Sequence, residues 1–69
     1  MSISYYDFKN MQKHSQHELV LSKGKVICET DKNELKIVLY DMRSFSVEIV
    51  YHTVTKKIAS LSAFHKKGI

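Results

Sequence analysis

Two neighbouring stretches of two-residue alternation decide most of what this chain can fold into. From Glu34 to Met42, Leu35, Ile37 and Leu39 fall on one side, with Lys36, Val38, Tyr40 and Met42 on the other. From Phe45 to His52, Phe45, Val47, Ile49 and Tyr51 oppose Ser46, Glu48, Val50 and His52. A period of two belongs to a strand, whose side chains point alternately to its two faces. The link between the stretches is too short for a parallel crossover, so the pair is read as an antiparallel hairpin. Its register has two solutions. A two-residue loop, Arg43-Ser44, sets Met42 opposite Phe45 and Tyr40 opposite Val47. A three-residue loop, Met42–Ser44, sets Leu39 opposite Val47 and Ile37 opposite Ile49. A slip of one residue turns a whole strand over, and both registers stay open at this point.

Two more strands flank the hairpin. Val26-Ile27-Cys28 is a short β segment ended by the turn-forming Asp31-Lys32-Asn33, and Ile58–Phe64 follows an approach turn over Thr53–Lys57. Short connections make sequence neighbours pair, which gives a four-stranded antiparallel meander over 25–64. Residues 2–24 read as helical. The spacing of Ile3, Tyr6, Phe8 and Met11 suggests a short first helix. Ser15 followed three residues later by Glu18 has the form of a capping box, and Gly24 stands where a helix end favours a positive φ, so a second helix is predicted over about 16–22. A hairpin pairing Glu18–Ser22 with Lys25–Thr30 is the rival for the same residues. The fold class is therefore α+β: one or two short N-terminal helices, then the four-stranded antiparallel β-meander.

At 69 residues this is a single domain, 1–69, closing on a basic tail at 65–69. With 43% hydrophobic residues, no proline and two glycines, the composition fits neither a collagen-like nor a disordered chain. One cysteine, Cys28, cannot form an internal disulfide, so the small core has no covalent staple. The N-terminal residues lack a signal-peptide pattern and Ile37–Tyr40 is the longest aliphatic and aromatic run, so a soluble cytoplasmic protein is expected.

In either register the sheet carries apolar side chains on both faces. A short helical leader covers one face only, and an uncovered apolar face exceeds what monomers usually expose. Leu35, Ile37, Leu39 and Val50 are therefore the candidate partner-binding residues, for a homodimer or an unidentified protein partner. Charge gives the alternative. Residues 1–34 hold five lysines and five acids, whereas 35–69 hold six bases against Asp41 and Glu48. Lys56, Lys57, Lys66 and Lys67 make the acid-free end a candidate nucleic-acid contact. Arg43–Ile49 faintly echoes an RNA-recognition strand, but Val47 stands where the stacking aromatic belongs. Tyr40, Phe45 and Tyr51 are expected in the core rather than on a base-stacking platform.

Chemistry-bearing clusters are sparse. His14 and His17 with Cys28 could suggest a metal site, but such a site needs three or four converging ligands and no acid or His elsewhere has matching spacing. Cys28 is expected to behave as a small buried hydrophobe, with no neighbouring base to activate it. Asp41 and Glu48 are plain cross-strand neighbours, and two isolated glycines make no phosphate loop. No catalytic, metal or cofactor residue is assigned, no small-molecule substrate is implied, and the chain is read as a non-enzyme.

The strand segments Lys36–Tyr40, Phe45–Tyr51, Lys57-Ile58 and Ala63-Phe64, with Tyr5-Tyr6 and Gly24, resemble a group of small uncharacterised bacterial proteins. The resemblance implies a helical N-terminal segment followed by an antiparallel meander, and it implies no activity. Two turns depart from that pattern: Arg43-Ser44 replaces an expected Asp-Gly, and His52-Thr53-Val54 replaces an acidic, proline-containing turn.

Overall fold

The computed structural model describes residues 3–65. Two helices, α1 (Tyr5–Lys9) and α2 (Lys13–Lys23), precede four strands: β1 (Lys25–Lys32), β2 (Leu35–Asp41), β3 (Phe45–His52) and β4 (Ile58–His65). The strands form one antiparallel sheet in the order β1-β2-β3-β4, the meander that the short connections require.

The central hairpin takes the two-residue loop. Tyr40 pairs with Val47 and Val38 with Ile49, and the Met42 amide donates to the Phe45 carbonyl at 2.9 Å. The three-residue register is thereby excluded. Arg43 adopts φ 79°, and its amide donates to Asp41 Oδ1 at 3.0 Å. The Asp41 side chain thus holds a tight turn without the Asp-Gly pair that usually makes one. This register puts Val38, Tyr40, Met42, Phe45, Val47 and Ile49 on one face, where all are buried with Phe8 of α1 and Val20 of α2. Both helices lie against that face. Phe8 stacks against Phe45 with ring centroids 5.1 Å apart, and Tyr5 meets the same ring edge-on at 6.0 Å.

The helical segment departs from expectation in its details. Helix α2 begins at Lys13, so Ser15 lies inside the helix and caps nothing; Gln12 is the N-cap and makes no side-chain capping bond. Glu18 instead pairs with His14 at 3.3 Å, one helical turn away. The cap that does form is Ser4, whose Oγ accepts from the Asp7 amide at 3.1 Å at the start of α1. Gly24 has φ −77°, an ordinary extended conformation rather than a positive one. Its role is close approach: an added Cβ would lie 2.6 Å from the Val20 carbonyl oxygen and 3.0 Å from Met42 Sδ. The rival hairpin over Glu18–Thr30 is absent, since β1 pairs with β2.

Strand β1 runs to Lys32, longer than the sequence pattern marks. The bend moves to Asn33-Glu34, and Asn33 takes φ 58°, a region that asparagine tolerates better than most residues. Cys28 is exposed instead of buried. A register shift between Val26 and Cys28 sets Cys28 beside Leu39, on the face away from the helices.

Candidate interaction surface

The register fixes what the helix-free face contains. Reading across its two middle rows, Cys28, Leu39, Glu48 and Ser62 form one, and Thr30, Ile37, Val50 and Ser60 the next. Leu35 continues the ridge of β2, opposite His52. The four residues singled out from the sequence, Leu35, Ile37, Leu39 and Val50, are thus brought onto one face as a contiguous group, each half-buried. Neither helix packs against them. Glu48 is the one charge in the middle of this face, flanked by Leu39 and Ser62. On β4 the face carries Ser60, Ser62 and Phe64, and Phe64 is 43% exposed. The result is a bulky aliphatic ridge on β2 beside a strip of small side chains on β4.

The helix-bearing face is not sealed at its far end. A recess of about 420 Å³ opens there over Val38 and Tyr40, walled by Glu29, Lys36, Tyr51 and Lys56. Tyr51 accepts or donates across 3.2 Å to His17 Nε2 and is also hydrogen-bonded to Tyr40. Burial, then the Tyr40 hydrogen bond, push the Tyr51 phenol up to about 12. It therefore stays protonated near neutrality, a weaker acid than an ordinary tyrosine. The Lys36 ammonium lies 3.1 Å from Glu29 Oε1, and that hydrogen bond, with the carboxylate's charge, raises its pKa. A protonated phenol and a lysine held charged beside Glu29 can fix a ligand in place by hydrogen bonds.

Among the described residues, the others marked from the sequence do not converge. Lys56 and Lys57 sit in the turn before β4, where Lys56 takes φ 63°. Lys66 and Lys67 lie outside the described residues. Tyr40 and Phe45 are buried under the helices and Tyr51 is half-buried, so these rings belong to the core as expected. His14 faces Glu18, His17 faces Tyr51, and Cys28 lies out on β1; among the described residues no three His, Cys, Asp or Glu side chains gather as a metal site would need. Also among the described residues, no helix is long and apolar enough to cross a membrane. One basic strip along β4 carries no signal in the linear pattern, because its lysines come from two different helices.

No protein-family model, no curated protein and no solved structure matches the chain.

Proposed function

We propose that this chain is a non-enzymatic protein-interaction module that self-associates through its helix-free sheet face. The observation that carries the reading is the contiguous set Leu35, Ile37, Leu39 and Val50 on a face that neither helix covers. The size of that face supports a second copy as its occupant. Four strands about 4.8 Å apart, with about eight residues rising 3.3 Å each, span roughly 480 Å². Two such faces stacked would remove on the order of 1,000 Å² from water, the lower edge of what a specific interface needs. Shape supports it too. Under a two-fold axis along the strands, β2 of one copy lies over β3 of the other, and its aliphatic ridge can lean into the neighbouring strip of serines.

Glu48 limits the affinity, because its carboxylate loses water on stacking. The dimer is therefore a micromolar one, formed with few charges at its centre. A cytoplasmic setting suits the exposed Cys28 thiol, which an oxidising compartment would couple to other thiols. The test is sedimentation velocity across the micromolar range. Mass should rise toward the dimer with concentration, and Ile37→Lys or Leu39→Lys should hold the chain monomeric, with a melting temperature no lower than that of the dilute, monomeric parent chain. A mass that stays monomeric at every concentration overturns the proposal.

A further inference from the structure

The outer side of β4 forms a second surface, independent of the face described above. Strand β4 pairs with β3 on one side only, and among the described residues no strand occupies its other side. Free edges are usually blunted by lysine, proline or bulges. The other edge strand, β1, is blunted in this way, with Lys25, Glu29, Asp31 and Lys32 along it and a register shift near its start. From Ile58 to Phe64, β4 carries neither charge nor proline, and its one irregularity lies at the start, leaving the rest regular.

The ground beside this edge is basic. Two adjoining recesses of about 350 and 220 Å³ lie between β4 and the helical layer, sharing Lys13 and Leu61. Their ionisable lining residues are Lys9, Lys13, His14 and His17, and none is acidic. Of the acids in the helical layer, Glu18 pairs with His14, which lines the smaller recess, and Asp7 sits in the first turn of α1, so the positive charge of the groove comes from Lys9 and Lys13. An open ladder edge beside a one-signed groove specifies its ligand in two ways. The edge asks for alternating N–H and C=O groups, and the groove asks for negative charge.

We propose that the free edge of β4 takes an extended acidic peptide as a fifth strand. Alternate side chains of that peptide face the groove, so the matching ligand carries Asp or Glu at every second position, with small apolar residues between. A nucleic-acid strand is the poorer match, because its backbone phosphates accept hydrogen bonds and leave the β4 carbonyls without donors. A second copy pairing β4 with β4 is poorer as well. It would set one lysine groove beside another.

The probe is a synthetic peptide of alternating glutamate and valine, matched to the eight residues of β4, titrated into the intact chain at low salt. Amide NMR shifts should concentrate on Ile58–His65 and on Lys9 and Lys13. Affinity should fall at least about tenfold for the Lys9→Glu/Lys13→Glu variant, as expected when attractive surface pairs become repulsive. Both side chains are exposed, and an unchanged amide spectrum of the free variant confirms that its fold is intact. The same peptide N-methylated at every residue, which has no backbone N–H to give to the ladder, should bind far more weakly. Four results overturn the proposal: shifts confined to the helix-free face, binding indifferent to charge reversal, equal binding of the N-methylated peptide, or tighter binding of single-stranded DNA in the same groove.

Discussion

Three residues, Gln16, Gly24 and Tyr51, each make a different physical demand on the packing. Gln16 is buried in α2 and its Nε2 donates to the Phe8 carbonyl at 2.7 Å, tying the end of a five-residue helix to its neighbour. Replacing it with leucine removes one of that carbonyl's donors while the Met11 amide stays at 3.1 Å, and should cost about 0.5–1.5 kcal/mol in urea unfolding. Gly24 demands space rather than an unusual backbone. Glycine-to-alanine changes usually stabilise where φ is ordinary, by about 0.4–1 kcal/mol. Here the new Cβ would meet the Val20 carbonyl oxygen at 2.6 Å, so Gly24→Ala should destabilise by about 1–3 kcal/mol. A denaturation midpoint that stays put or rises would remove the close-approach explanation. Tyr51 makes a demand on pH. Below its ordinary value of 10 the phenol is protonated in both folded and unfolded chains, and its titration adds nothing to stability. Between 10 and about 12 the unfolded chain releases that proton while the folded chain keeps it, so stability falls as pH rises through this window. In an alkaline titration read by tyrosinate absorbance, one phenol should resist ionisation to about pH 12, and Tyr51→Phe should abolish that late phase.

At the scale of elements, each hairpin bends through a non-glycine residue with positive φ: Asn33, Arg43 and Lys56. Arg43 is the central residue of a three-residue turn, in which the Ser44 amide donates to the Met42 carbonyl at 3.1 Å, and its φ of 79° is strained for any residue with a Cβ. Arg43→Gly should therefore raise the melting temperature, with a gain of about 1 kcal/mol or less after glycine's own entropic cost. The turn's hydrogen bond to Asp41 uses the backbone amide and survives the change. These bends also mark where linear reading stops. Strands β2 and β3 are legible because their alternation is long and unbroken, and so are the four residues of the helix-free face, which share a parity along each strand. The register was not legible, since a loop without Asn-Gly or Asp-Gly encodes its length in a side-chain bond, Asp41 to Arg43, that only three dimensions reveal. The start of α2 was misread for a similar reason. Ser15 and Glu18 satisfy a local capping pattern, yet Gln16 and Val20 are the residues that pack inward, and that packing carries the helix a turn further back to Lys13. Cys28 was misplaced because a bulge changes parity without any trace in composition. The basic strip beside β4 was invisible because Lys9 and Lys13 belong to separate helices and converge only after both dock.

The whole molecule is a slab, 34 × 29 × 16 Å, one helical layer on one sheet. A body this thin has room for a single core, and that core lies entirely between the layers: Phe8, Val20, Phe45, Val47 and Ile49 are fully enclosed there. Association through the open face would convert two slabs into a four-layered particle with a second apolar interior. At this scale Glu48→Gln is the informative change. Removing the central charge should tighten self-association severalfold in sedimentation without altering the monomer's spectrum. A looser dimer would mean that the carboxylate is itself a contact. The unequal edges of the sheet have a further consequence. Stacking copies sideways, β4 of one onto β1 of the next, is the head-to-tail geometry that never closes and grows into filaments. The register shift between Val26 and Cys28 kinks the margin of β1 and makes that joint poor, so growth in the plane of the sheet has a start and no continuation. Concentrated solutions should accordingly yield discrete particles, with no thioflavin-binding fibrils.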